Sequence, residues 1–482
     1  MNIQQWLHKM DLIRQLTPRD AVFILRQKSR LALDRLRRTK TNPPRAADGL
    51  RVLDLSHPDM NQAASLVTQG REDAALGAVL DSYRQSQGVI TPAVLFYRNR
   101  DQVSGFFREL ILKRAEAAVE HRYRLRGDKL VQAEKDIDWL MDPVSGYRWP
   151  EEHFTDIDLS AGGRADVKFI WELNRQKHFY PLGQALLLTE DKRYADEIIT
   201  QLNSWMDQNP PGWGVNWAGP LELGIRVCAW CWAIEALRIT GFLSSKLLGR
   251  CLASIDQQIS LMDRYLEDYL TRNTHLAGEA VALAWAGMHF PFLRSSHAWK
   301  EKGLALLERE LQRQVLPNGM HYERSVYYHN YMLDMGLSVY LLGCNNGVRF
   351  SAGWEKQLRK MHQWLFEIAP AGERLSDVND ADGGVAFLWT EEHLLGYRDR
   401  LALGAAVFHN PLWKTAASEE IDALLFHCSP EQIEFYRTMK PEGAPPSFLA
   451  GEEWGIVRQD AGPLPVWWMM DYGPLGVGRA GH

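Results

Sequence analysis

What this chain has little of narrows its identity first. It holds five cysteines in 482 residues, Cys228, Cys231, Cys251, Cys344 and Cys428. An odd number in a large chain argues against a disulfide framework and for a reducing compartment. Cys228 and Cys231 form a C-A-W-C, but no second pair accompanies them to complete a zinc site. They lie inside the apolar run Leu223 to Leu237, where buried helix packing outweighs redox or metal chemistry. No stretch approaches the roughly 18 apolar residues of a membrane span. The N-terminus, M-N-I-Q-Q-W-L-H-K-M-D-L-I-R-Q-L, interrupts every apolar run with a charge and lacks the h-region of a signal peptide. The expectation is therefore a cytoplasmic protein, with a periplasmic location as the alternative. Excess positive charge is missing too: 55 Lys and Arg stand against 60 Asp and Glu, a net charge of −5. That balance gives no overall pull toward nucleic acid, so a polyanion partner must be read by a local basic surface.

One such surface lies near the start. Arg26, Lys28, Arg30, Arg35, Arg37, Arg38, Lys40 and Arg45 face the single acid Asp34, in a segment whose Ile24, Leu25, Leu31, Leu33 and Leu36 can form an apolar helical stripe. It reads as a solvated helix face packed on the main body, or else as a membrane-surface or polyanion-binding helix.

A hydrophobic content of 46% supports a sizeable core, and the length allows two or three domains. Residues 1 to about 40 look helical and basic, T-N-P-P-R at 41–45 is a linker, and residues 50–104 are mixed, with helical patterning around Asn61 to Tyr83. From about Gly105 amphipathic helices alternate with polar loops. The clearest apolar faces are Phe169 to Leu188, Tyr194 to Gln208, Pro220 to Arg238, Ser244 to Leu270, His275 to Met288, Ala298 to Val315, Tyr328 to Leu342 and Trp354 to Ile368. No strand alternation stands out among them. Stacked helical hairpins follow, with the long loops on one rim if the stack closes into a ring. After His409-Asn410-Pro411 the pattern changes, and Glu453–Arg458 and Leu464–Tyr472 read as two strands joined by a Q-D-A-G-P turn. Two strands are marginal alone, which implies a β domain, from about residue 416, cut near its start.

The polar clusters sit in the long loops. Asp166 to His178 places Glu172, Arg175 and Lys177 among apolar helical positions, as a salt-bridged face or a substrate contact. Asn209 to Trp217, N-P-P-G-W-G-V-N-W, presents Trp213, Asn216 and Trp217, a combination suited to the apolar face and hydroxyl edge of a sugar, or to burial in a chain with 18 Trp. In R-N-T-H-L-A-G-E-A (272–280), Asn273 or Thr274 can cap a helix on which His275 and Glu279, four residues apart, share a face. Pro317 to Tyr331 packs two His, four Tyr, one Glu and one Arg into a turn and helix start. There Ser325 is the expected N-cap, which puts Tyr328 and His329 in the first turn. R-L-S-D-V-N-D-A-D-G-G (374–384) lacks EF-hand spacing and reads as a tight Asx-rich turn, with a structural role beside an active site as the alternative.

Six segments in this order, D-V-K-F-I-W-E-L-N-R, N-P-P-G-W-G-V-N-W, N-T-H-L-A-G-E-A, H-Y-E-R-S-V-Y-Y-H, N-D-A-D-G-G and D-Y-G-P-L-G-V-G-R-A-G-H, resemble the heparinase II/III-like family, which also includes alginate and oligoalginate lyases. The resemblance covers about residues 105–482. It implies an incomplete (α/α) toroid over 105–415 followed by an antiparallel β-sandwich domain, truncated here. It also implies a polysaccharide lyase that cleaves an acidic, uronate-containing polymer at C4 by β-elimination. Asn273 and His275 would then neutralise the uronate carboxylate, Tyr328 would act as base, acid or both, and His482 would complete the site. Arg175, Asn216, Trp217, Glu279, Arg324 and His329 would contact substrate or orient those groups. Thr274 stands where some members have Asn. The terminal G-H is where relatives continue as H-x-H-x-D, so no metal is assigned, and a divalent ion such as zinc would belong to the part beyond. Competing readings are a glycoside hydrolase on a similar toroid, with Glu222, Asp377, Asp380 and Asp382 as available carboxylates, and a non-catalytic glycan-binding or assembly protein.

Overall fold

The computed structural model describes residues 18–85, 89–268, 272–370, 375, 378–379, 381, 385–390, 396–450, 454–459 and 466–471. The described residues begin with α1 (Pro18–Arg37); short helices at Asp48–Arg51 and Asn61–Thr68 follow, and then α2 (Glu72–Gln85), α3 (Pro92–Asn99) and α4 (Gly105–Val119). A small hairpin, β1 (Arg122–Leu125) and β2 (Lys129–Gln132), comes next, and then α5 (Val167–Asn174), α6 (Phe179–Thr189) and α7 (Lys192–Gln208). The body continues with α8 (Pro220–Ile239), α9 (Ser245–Arg264), α10 (Thr274–His289), α11 (Ser296–Gln314), α12 (Val326–Asn345) and α13 (Ala352–Ile368). Two further helices, α14 (Arg398–Phe408) and α15 (Pro430–Thr438), lead to strands β3 (Phe448–Ala450), β4 (Trp454–Gln459) and β5 (Val466–Asp471).

From α6 onward the helices alternate between an inner and an outer layer, and composition decides which goes where. Helix α8 buries 17 of its 20 residues, α10 buries 15 of 16 and α12 buries 16 of 20. Helices apolar on all sides must be enclosed on all sides. Helices α7, α9, α11 and α13 keep a polar face and form the outer layer. Helix α8 packs on α6, α9 and α10, α10 on α11 and α12, and α12 on α13, so successive hairpins curve into the expected incomplete (α/α) toroid. One core runs through the whole described chain, from Leu50 near the start to Trp454 and Ile456 in β4.

The structure departs from the sequence reading in four places. The face read as one helix over Phe169–Leu188 is two helices, because Gln176 adopts a left-handed φ of 52° between α5 and α6. The Asn61–Tyr83 patterning is likewise split, into Asn61–Thr68 and α2, with Gly70 at φ 69° in between. The β1–β2 hairpin was not anticipated, although R-Y-R-L alternates exposed and buried residues as an edge strand should. At the C-terminal end β3 adds a third strand, giving the antiparallel order β3–β4–β5. Residues 472–482, His482 among them, lie outside the described residues, as do Asp377, Asp380 and Asp382. The five cysteines are free, and burial pushes the Cys228 and Cys231 thiols up, in keeping with a packing role inside α8.

The closest inner–outer contact is that of α10 with α11. A Cβ on Gly303 would stand 2.4 Å from the Ala284 backbone nitrogen and 2.6 Å from the Ala280 carbonyl oxygen. Neither atom belongs to a side chain that can swing away. Gly303→Ala is therefore expected to destabilise by about 1–3 kcal/mol, despite alanine's better helix propensity. A fall in the urea unfolding midpoint would show it; an unchanged midpoint would mean the two helices can part without cost.

Candidate active site

Because the inner helices are buried along their length, only their ends can meet a ligand. The N-terminal ends of α8, α10 and α12 come together on one rim, each started by a local device. Pro220 opens α8. Asn273 caps α10, its Oδ1 accepting from the His275 backbone N–H at 3.0 Å. Ser325 caps α12, its Oγ accepting from the Tyr328 N–H at 3.1 Å. The caps put Glu222, His275 and Tyr328 in the first turns, where the positive ends of the helix dipoles point outward.

His275 is the only exposed residue of α10. Its Nδ1 lies 3.1 Å from Glu267 Oε2. Desolvation works against the charged ring, but the Glu267 hydrogen bond and charge, helped by Glu222 and Glu323, outweigh it and raise the His275 pKa. Glu279, one turn further along, is fully buried and accepts from the Glu267 backbone N–H at 2.9 Å through Oε2. Thus the expected shared face of His275 and Glu279 is real, and what they share is Glu267: one holds its side chain and the other its backbone. Burial, and then the Glu267 charge, push the Glu279 carboxyl well above the usual carboxylate range.

Neighbouring segments close around this pair. The Thr274 N–H donates to Glu323 Oε1 at 3.0 Å, joining α10 to the turn before α12. That turn folds back at an antiparallel bridge between Val315 and His321, with Gly319 at φ 93° and its Cβ position only 2.2 Å from the Lys360 carbonyl oxygen. Tyr322 donates from its hydroxyl to the Arg272 carbonyl oxygen, and Gln314 Nε2 donates to the Asn273 carbonyl oxygen at 3.2 Å. Arg324 takes a left-handed φ of 61° just before the cap, and its carbonyl accepts from Asn379 Nδ2 at 2.6 Å. A non-glycine residue held in this conformation stores strain; here it sets the direction in which α12 enters. The Tyr328 ring meets those of Tyr327 and Tyr331 edge-on, at 5.7 and 6.4 Å.

Arg175 forms the other wall. Its Nε and Nη2 grip Glu222 at 2.6 and 2.9 Å, and its Nη1 reaches Glu172 Oε2 at 2.8 Å. Lys177 also pairs with Glu172. Burial opposes the guanidinium charge, yet Glu222 and Glu172 more than offset it and raise the Arg175 pKa, with Tyr331 close enough to contribute. The salt-bridged reading of this segment is the one the structure displays.

A cleft of about 950 Å³ adjoins this wall, and its lining includes Glu172, Lys177 and Tyr327. Lys113, Arg114, Arg122, Arg124 and Arg126 join Lys177 there, six cations against only Asp128 and Glu172. Half of them, Arg122, Arg124 and Arg126, come from the β1–β2 hairpin. Its R-x-R-x-R spacing, two residues apart along a strand, puts Arg122 and Arg124 on one face, and that alternation was the available signal for this surface. Glu267 carried no such signal, because its pairing with His275 depends on how the α9–α10 connection closes.

Three expected contacts are placed elsewhere. Asn216 is fully buried and donates from Nδ2 to the Trp139 carbonyl oxygen and to Asn209 Oδ1, at 2.8 and 2.9 Å, holding its loop together. Trp217 is 2% exposed and packs on Trp205 at 6.1 Å. Behind them Arg226 is fully buried over the Trp205 ring, where desolvation brings its pKa down to about 9 even though Glu222 opposes that shift. His329, 0% exposed, lies against Trp364 at 4.4 Å, and burial drives its pKa far down, so the ring is neutral packing behind Tyr328. Among the described residues no three His, Cys, Asp or Glu side chains converge as a metal site, and no helix is long and apolar enough to cross a membrane.

Comparison with known proteins gives a consistent set. Residues 50–386 match the family described as heparinase II/III N-terminus. A heparin-sulfate lyase of Pedobacter heparinus is 24% identical over 294 residues, covering 60% of this chain and 41% of that protein. One from Bacteroides thetaiotaomicron is 22% identical over 285 residues, covering 58% and 38%. The chain thus spans about two-fifths of the length of these curated relatives. Among solved structures, a heparinase III superposes with a TM-score of 0.63 at 16% identity, covering 88% of this chain and 61% of the other. The heparan sulfate lyase HepC from Pedobacter heparinus gives 0.57 at 19%, covering 89% and 62%. These likenesses establish a shared fold.

The Glu267 contact makes a measurable claim. By NMR the His275 imidazole should titrate above its ordinary value of about 6.5, and Glu267→Gln should lower that value. Because the folded pKa is raised, the pair's stabilisation is fully present below the unfolded pKa and is lost as pH rises through the folded one. An unshifted titration in Glu267→Gln would dissociate the two groups. Glu279 has a linkage of the same sign, over the carboxyl range. From the ordinary carboxyl range up to its raised pKa, the folded state keeps a proton that the unfolded state releases, so stability falls as pH rises. Glu279→Gln should flatten that decline in pH-dependent denaturation without loss of fold.

Proposed function

Because this chain belongs to the heparinase II/III N-terminus family, we propose that it is the toroid part of a polysaccharide lyase acting on an acidic, uronate-containing polymer by β-elimination. The observation that carries this reading is one continuous rim, on which a histidine whose pKa is raised by Glu267 stands beside the first turn of α12 and leads, past Arg175, into a cleft lined by six cations. Such a surface complements a polyanion in a protein whose net charge of −5 would otherwise repel one.

The reaction needs three things. The proton at C5 of the uronate is removable only when the adjacent carboxylate is neutralised, so that the enolate-like charge developing on it is stabilised. His275 as an imidazolium supplies charge and a donor. Asn273 turns its Oδ1 to the helix cap, which leaves the amide nitrogen as the donor toward a ligand. A base then takes the C5 proton while an acid protonates the departing O4. Tyr328 takes the base role, the acid role or both, and His482 joins it from the β domain. Arg324, through its strained backbone, and Glu279, through Glu267, act as positioning residues. Arg175 orders Glu172 and Glu222 at the mouth of the cleft. The relatives named as heparin-sulfate lyases point to a glycosaminoglycan as the polymer class.

The hydrolase alternative requires two carboxylates free to face each other across a cleft. Glu222, the one candidate among the described residues, is gripped bidentately by Arg175, which disfavours it as a free acid or base, while Asp377, Asp380 and Asp382 lie outside those residues.

The test is a screen of heparan, hyaluronan, alginate and capsular polymers for an ultraviolet-absorbing unsaturated product. Tyr328→Phe, folded by circular dichroism, is expected to lose the signal by about 10²-fold or more, and His275→Ala by a similar factor. Full activity in Tyr328→Phe would remove that residue from the mechanism. Reducing ends without absorbance would establish the hydrolase reading, and binding without any change in polymer length would establish a glycan-binding protein.

A further inference from the structure

Helix α1 presents two distinct faces. Phe23, Ile24, Gln27, Leu31 and Asp34 are half-buried toward the body. The contacts that hold the helix there are largely polar. Gln27 Nε2 donates to the Leu266 carbonyl oxygen at 3.4 Å and Arg30 Nη1 to that of Arg264 at 2.8 Å, while Asp34 accepts from Arg264 Nε and Nη2 at 2.8 and 2.6 Å. Beyond the helix end, Arg38 pairs with Asp156 and Lys40 with Glu151.

Apart from Arg35, which donates to the Thr155 carbonyl oxygen and pairs with Asp156, the outer face has no role in that attachment. Val22, Leu25, Leu33 and Leu36 are 48%, 64%, 44% and 83% exposed. At 3.6 residues per turn they fall within about 80° of one another, in one stripe opposite the docked face. Arg26 borders the stripe on one side, and Lys28 with Arg35 on the other. Arg26 and Lys28 form no ion pair among the described residues.

We propose that this face of α1 is a membrane-surface anchor, whose four apolar side chains enter the acyl boundary of an anionic lipid leaflet while Arg26 and Lys28 meet the headgroup phosphates. Charge decides between a lipid surface and a second copy of the chain. Between residues 21 and 45 the only acid is Asp34, already held by Arg264, so pairing two such stripes would set their bordering cations, Arg26 and Lys28, against each other. An anionic leaflet satisfies both the stripe and its borders. The anchor is independent of the proposed lyase chemistry. It bears on it through position, since α1 holds the Arg264–Leu266 segment that leads directly to Glu267.

Co-sedimentation of the full chain with vesicles tests this. Binding is expected to phosphatidylcholine vesicles doped with phosphatidylglycerol, weakening with salt, and not to phosphatidylcholine alone. Arg26→Ala with Lys28→Ala should reduce partitioning by on the order of 30-fold, and Leu25→Ser with Leu36→Ser should abolish it. The thermal midpoint should hold in both, because these side chains lie outside the docked face. Three results would overturn the proposal: no binding to phosphatidylglycerol vesicles, binding indifferent to the Leu→Ser changes, or a dimer in sedimentation velocity that those changes dissolve.

Discussion

The constraint on which this structure depends is the enclosure of α8, α10 and α12. Helices apolar around their whole circumference have no face for solvent, so everything they offer a ligand is concentrated at their ends. In α10 this is nearly absolute: every residue but His275 is buried or part of the packing. The toroid therefore acts as a device for bringing several helix N-termini to one rim, with their partial positive charge directed at the same region. Chemistry is placed there by what the first turn of each helix carries.

Carboxylates hold the rim together more than cations do. Glu267 ties His275 to the α9–α10 connection, Glu323 ties α10 to α12, and Glu222 and Glu172 fix Arg175. An acidic substrate would meet repulsion from such a set if each acid were not paired. Each is matched to a cation or a backbone donor, and a cluster of arginines and lysines lies further out, around the β1–β2 hairpin, where it lines the cleft. Core acids and surface bases thus serve separate ends, rigidity and attraction.

Much of this was legible beforehand. The helices from α7 to α13 follow from apolar periodicity and capping residues, although α9 stops at Arg264 and not at Leu270, and Ser325 was placed correctly as the cap that sets Tyr328 in a first turn. The Asx-rich segment 374–384 could not be judged, since most of it lies outside the described residues. Asn216, Trp217 and His329 show where residue type misleads. An amide beside aromatic rings suits a sugar, but it suits a buried loop equally, and only packing separates the two uses. The break at Gln176 was hidden for a related reason: apolar periodicity runs on through a left-handed residue that ends one helix and starts another.

What the sequence by itself determined is the order of elements and the chemical types available, because periodicity, caps and turn residues act over a few neighbouring positions. It also determined that a charged, aromatic turn would lead into α12 through a Ser325 cap. The tertiary structure decided which of those groups meet. Glu267 reaches His275 on the next helix, Arg175 reaches Glu222 from another helix pair, and Arg122 and Arg124 line a cleft through a four-residue strand. Those partnerships depend on burial and on distances between segments far apart in the chain, which local pattern does not encode.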